Sequence, residues 1–101
     1  MKGVAVIGAG SFGIAVSTLL AHNVDVQVVS RNPETLKKIN TDHRMFGVDL
    51  SPRISATHSL EEAIQSSKLI FPIVPSDDFA QMIREASPFL SPAHIFIHGT
   101  K

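Results

Sequence analysis

Residues 4–16 read VAVIGAGSFGIAV, a run of small apolar residues broken by glycines at Gly8, Gly10 and Gly13. A buried strand has no use for three glycines, since each costs backbone entropy and removes a side chain that could pack. A strand that turns sharply into a helix does need them. The spacing G-x-G-x-x-G, directly after a strand, opening a helix and followed by a second strand within about 30 residues, is the context of a dinucleotide-binding loop. There Gly8 allows the tight turn, Gly10 leaves no Cβ between backbone and a pyrophosphate, and Gly13 lets the helix pack closely on the sheet. The anion meets the free amides and positive dipole end of the helix near Ser11 and Phe12. The plain alternative is that all three glycines serve packing in the turn.

Working outward from this stretch, β-branched runs alternate with stretches of helical period, the pattern of a parallel sheet flanked by helices. Val4 to Ile7 predicts the first strand, and Ser11 to about Ala21 a helix burying Phe12, Val16 and Leu19 or Leu20. Val24, Val26 and Val28 alternate with polar residues as a second strand. Asn32, Pro33 and Glu34 supply a cap, a preset φ and an acid for a short helix carried by Leu36 and Ile39 or Asn40. Residues 41–52 read as a surface connection, although Met45, Phe46, Val48 and Leu50 are apolar enough to pack somewhere. Ile54 to Thr57 is a short strand, and Ser59 with Glu62 forms a capping box. Leu69 to Val74 is the most apolar strand, with Pro72 fitting badly because a central strand needs its backbone donor. Ser76, Asp77 and Asp78 start a helix carrying Phe79, Met82, Ile83 and Ala86, which Pro88 stops. Ile95 to Ile97 is the last strand. The fold class is α/β: a Rossmann-type, doubly wound, mainly parallel sheet with helices on both faces.

At 101 residues the chain predicts one domain. Nine basic and nine acidic residues cancel, so no global field attracts nucleic acid or a membrane surface. The absence of cysteine removes disulfides, thiolate metal sites and thiol nucleophiles, and makes the cytoplasm the default compartment. The apolar start is too short and glycine-rich for a membrane span or signal peptide. The five histidines are scattered. His94 and His98 fall across a predicted strand, about 13 Å apart, too far for one metal. Asp77 with Asp78, and Glu61 with Glu62, sit at helix starts where dipole compensation explains them. No basic patch interleaved with aromatics suggests nucleic-acid binding.

The end of the second strand bears on cofactor choice. Selection of NAD uses an acid there, about 20 residues beyond the glycines, to accept from the ribose 2′-hydroxyl. This chain reads VVSRNP at 28–33. With no acid at Ser30 or Arg31, nothing local repels a 2′-phosphate. Arg31 can pair with one through two charge-assisted bonds while Ser30 donates another. NADP is therefore preferred, with NAD possible. Arg31 also reads simply as a solvated residue before a helix.

Taken together, MKGVAVIGAGSFGIAV, RNPETLKKIN, SLEEAIQSSKLIFPIVPS and the terminal HGTK resemble the amino-terminal part of bacterial NAD(P)-dependent glycerol-3-phosphate dehydrogenase, in order and over essentially the whole chain. The resemblance implies reduction of dihydroxyacetone phosphate to sn-glycerol 3-phosphate, which supplies the phospholipid backbone. It implies cofactor contacts at Ser11, Phe12 and Arg31, and contacts to both cofactor and substrate at Lys101. Phe12 stands where many members have Trp or Tyr, and Pro72 where an aliphatic residue is usual. The family carries a helical second domain with the catalytic lysine. The chain is thus expected to be a fragment, 1–101, holding no catalytic residue and inactive alone. Lys101 is the one residue placed near the reacting centre, to hold substrate or polarise its carbonyl. Val74, Pro75 and Ser76 either line the nicotinamide half or cap the next helix. The expected partner is a small-molecule substrate, dihydroxyacetone phosphate or sn-glycerol 3-phosphate; a homodimer is open, and an exposed edge left by truncation would make one an artefact. Two other readings stay open. One is a ketopantoate or 3-hydroxy-acid type reductase with the same architecture, the former tending to differ where HGTK stands. The other is a free-standing dinucleotide-binding module.

Overall fold

Four consecutive buried residues, Val4 to Ile7, make β1 (Gly3–Ile7) a strand covered on both faces, as in a parallel sheet packed between two layers of helices. The computed structural model describes residues 3–74, 76–90 and 95–96. After β1 come α1 (Ser11–Leu20), β2 (Val26–Val29) and α2 (Pro33–Lys37), the last continued by a π-helical turn at Lys38–Asp42. A two-stranded hairpin follows, β3 (Arg44–Met45) and β4 (Val48–Asp49), then β5 (Ile54–Thr57), α3 (Leu60–Gln65) and β6 (Ser67–Pro72). α4 (Ser76–Ala86), a 3-10 turn at Ser87–Phe89 and β7 (Ile95–Phe96) complete it.

The main sheet is parallel, in the order β5-β2-β1-β6-β7. Strands are added to one side of β1 and then to the other, so the order reverses at β1 and a crevice opens at the carboxyl ends there. Alternation along β1 builds two cores. Val4 and Val6 face Ile14, Ile39, Met45 and Leu50, whereas Ala5 and Ile7 face Ala63, Ile64, Met82 and Ala86. Helices thus cover both faces, as the alternation of strands and helices predicts.

Four expectations need correction. The buried face of α1 is Gly13, Ile14 and Ser17, while Phe12 is 54% and Leu19 71% exposed. At Gly13 the helix lies so close to the loop before it that no side chain fits. Ser17 satisfies its buried hydroxyl on the Gly13 carbonyl at 2.8 Å, so the inward face is not the most apolar one. Residues 41–52 are not a simple connection: Phe46 (φ 53°) and Gly47 (φ 74°) form a hairpin turn with both central residues in the left-handed region. Met45 and Leu50 enter the core beside α1, while Phe46 and Val48 stay outside. The fourth strand runs Ser67–Pro72, two residues earlier than predicted. The second begins at Val26, Val24 belonging to the turn before it.

Pro72 is the last residue of β6, paired in register with Ile7. The Ile73 amide donates to the Ile7 carbonyl at 2.8 Å. Because amides alternate sides along a strand, the Pro72 nitrogen points away from β1, toward the β7 side. The last described β6–β7 pair is Ile70 with Phe96, two residues earlier. A proline at this position costs the β1–β6 ladder nothing.

Candidate functional site

At the carboxyl end of β1 the Gly8 amide donates to the Val29 carbonyl at 3.1 Å, tying the loop to the end of β2. Gly8 adopts φ +118°, and a Cβ there would stand 2.1 Å from the Ile73 carbonyl oxygen. No L side chain is tolerated in that space. A Cβ on Gly13 would lie 2.2 Å from the Gly8 carbonyl oxygen, so this glycine seats α1 on the loop more than on the sheet. Packing fully accounts for these two. Gly10 is different: it has an ordinary φ of −72°, and a Cβ there would meet nothing within 4 Å. The protein itself gives no reason for a glycine at this position, which leaves its backbone open to approach from outside.

Gly10 is also the N-cap of α1, its carbonyl accepting from the Ile14 amide at 2.9 Å. It offers no side-chain cap, and the first turn has no acid. α2 and α3 are treated otherwise. The Asn32 side chain accepts from the Glu34 amide at 2.9 Å, and Glu34 lies in that first turn. Ser59 accepts from the Glu62 amide at 3.1 Å, with Glu61 and Glu62 beside it. The predicted capping box is half formed, since the Glu62 carboxylate takes the Thr57 hydroxyl at 3.0 Å. The amino end of α1, with Ser11 and Phe12 both exposed, keeps amides and dipole without compensation from its own side chains.

A crevice of about 410 Å³ runs from Gly8 and Ala9 past Val74 to Ser30 and Arg31 at the end of β2. The Ser30 hydroxyl accepts from the Asn32 amide at 3.3 Å, leaving its proton to donate. Arg31 lies on the rim, its side chain 75% exposed, and pairs with Glu85 of α4, whose side chain is 32% exposed. An acid therefore does reach the end of β2, although none is nearby in sequence. The Gln81 side chain donates to the other Glu85 oxygen at 2.9 Å. This bond, opposed by partial desolvation and aided by the charge of Arg31, holds the Glu85 carboxyl below the usual carboxylate value.

Of the predicted cofactor residues, Gly8 and Arg31 line this crevice, with Gly13 packed behind the loop. Gly10, Ser11 and Phe12 follow in the chain at the start of α1 and are exposed, Ser11 lining a separate apolar pocket with Ile14, Met45 and Phe46. Of the predicted nicotinamide-side residues, Val74 lines the crevice and Ser76 begins α4. Pro75 and Lys101, with the rest of HGTK, lie outside the described residues. Sequence reading missed Glu85, because it is separated from Arg31 by 54 positions and sits on a helix that reads as amphipathic. Among the described residues no cluster of three or more metal-ligating side chains forms. None of the described helices is long and apolar enough to cross a membrane.

Residues 3–101 match the family described as NAD-dependent glycerol-3-phosphate dehydrogenase N-terminus. A glycerol-3-phosphate dehydrogenase [NAD(P)+] of Alcanivorax borkumensis is 36% identical across 96% of this chain and 30% of its own length. One of Bacillus velezensis is 35% identical across the whole chain and 31% of its own length. The chain therefore spans about a third of the length of the curated relatives it matches. A crystal structure of glycerol-3-phosphate dehydrogenase from Coxiella burnetii superposes with a TM-score of 0.87 over 99% of this chain and 32% of that one, at 22% identity, a likeness of fold.

Proposed function

The chain belongs to the NAD-dependent glycerol-3-phosphate dehydrogenase N-terminus family, and from that premise we propose that it is the cofactor-binding part of an oxidoreductase reducing dihydroxyacetone phosphate to sn-glycerol 3-phosphate. The observation that carries this reading is the loop before α1: Gly8 and Ala9 line the crevice, and they lead into a glycine without a packing role and an uncapped helix start. A nicotinamide dinucleotide bound there supplies a hydride equivalent to a carbonyl carbon. The Ser11 and Phe12 amides and the Gly10 backbone hold its pyrophosphate. Gly8 and Gly13 shape the loop that presents those amides. Ser30 and Arg31 read the adenosine end and favour the 2′-phosphate of NADP(H) over NAD(H).

Residues 1–101 form the amino-terminal dinucleotide-binding domain in this reading. The proton donor and most substrate contacts lie in the remaining length that its relatives possess, and Lys101 contacts both cofactor and substrate. The fit to a dinucleotide rests on the chain's own geometry: an open backbone at Gly10, free amides and one arginine at the far rim.

Titration of the 101-residue chain with NADPH and with NADH, followed by nicotinamide fluorescence and with circular dichroism as a check of folding, tests this directly. Binding of both, with NADPH the tighter, is expected. A folded chain that binds neither would sink the reading, and equal or NADH-favouring affinities would remove the NADP preference alone.

A further inference from the structure

The Arg31–Glu85 pair lies across the same crevice as the glycine loop. Both Glu85 oxygens are engaged: Oε1 takes the Arg31 guanidinium and Oε2 the Gln81 amide. Gln81 is oriented in turn by Arg84, which donates to its carbonyl oxygen at 2.8 Å. The carboxylate is therefore held in place by its own helix and does not depend on Arg31 for its position. Arg31, by contrast, is a mostly exposed side chain on a short segment between β2 and α2, and Glu85 is its described partner.

This arrangement matters for any ligand with a charged group at the end of β2. A 2′-phosphate carries about −1.5 to −2 charges at neutral pH. To bind Arg31 it must take the guanidinium from Glu85 or share it, and in either case it faces a fixed carboxylate at short range. A 2′-hydroxyl meets no such repulsion and can donate to that carboxylate, as it does to an acid at the end of the second strand in NAD-selective folds.

Resting on the dinucleotide reading above, we infer that Glu85 is a cofactor-selectivity residue. From α4 it supplies the acid that the end of β2 lacks, and it limits the preference of Arg31 for a 2′-phosphate. The preference for NADPH is accordingly modest in the natural chain, and it is Glu85 that keeps it so.

The test is calorimetric titration of NADPH and NADH into the wild-type chain, Glu85→Gln and Glu85→Ala, above the second phosphate pKa of about 6. Asp25→Asn, a carboxylate removed at the opposite end of the sheet where it pairs with Arg53, controls for net charge. Both Glu85 variants are expected to raise the NADPH-to-NADH affinity ratio at least fivefold, with Asp25→Asn leaving it unchanged. The two substitutions at one partly exposed position guard against a folding defect in either. A smaller rise, no change, or a fall would overturn the role given to Glu85 while leaving dinucleotide binding intact. Wild-type chain that binds neither dinucleotide would remove both.

Discussion

α1 and α3 both begin beside the carboxyl ends of the sheet, yet they begin differently. α3 is closed by its own sequence: Ser59 caps it and Glu61 and Glu62 neutralise its dipole. α1 starts on Gly10 with neither. The stable solution was available to α1, since a Cβ at Gly10 would meet nothing within 4 Å and a Ser or Asp there would accept from an orphan amide of the first turn. On the proposed function, the uncapped start of α1 is the one that takes the pyrophosphate. α3 shows how the same chain closes a helix start with its own side chains, although His58 and Leu60 also line the crevice.

The comparison can be broken most severely at Gly13. Gly13→Ala places a methyl 2.2 Å from the Gly8 carbonyl, and should cost about 3 kcal/mol or more, at the upper end of overpacking effects. Urea unfolding followed by circular dichroism reads this directly, and a loss under about 1 kcal/mol would mean that α1 is not seated on the loop. Gly10→Asp gives α1 the cap it lacks. It should weaken NADH binding at least a hundredfold, about 2.7 kcal/mol, while stability holds or rises by a few tenths of a kcal/mol. Should affinity survive, the open backbone at Gly10 is not the pyrophosphate site. Ser59→Ala is the mirror experiment, expected to lower stability by about 1 kcal/mol with NADH affinity unchanged within twofold. The smallest effect belongs to Asp25→Asn, which breaks an exposed pair with Arg53 and should move stability by no more than about 0.5 kcal/mol.

These contrasts also show which features are legible in sequence. β1 and β2 follow from runs rich in buried β-branched residues, β5 from buried Ile54 and Ala56 alternating with more exposed Ser55 and Thr57, and the Asn32 and Ser59 caps from side-chain chemistry acting within three residues. The glycine motif is local too, and its three positions separate into two packing roles and one open one only when Ile73 and the Gly8 carbonyl are in place. The inward face of α1 defeats periodicity because close approach selects Gly13 and Ser17 over larger apolar residues. The hairpin at 44–49 has strands of two residues, too short to alternate. Glu85 is hidden for a topological reason: β2 and α4 meet only because the sheet order reverses at β1.

That reversal has a consequence in time. β1 can pair with β2 early in synthesis, but its other neighbour is β6, and the carbonyl of Ile73 that borders Gly8 follows β6. At about 5–20 residues per second, a ribosome leaves the second edge of β1 open for on the order of seconds before β6 emerges. During that interval an apolar central strand is an edge strand, able to accept the wrong partner. The glycine loop has no far wall until then, because the Ile73 carbonyl that closes on Gly8 is among the last parts of the sheet to be made.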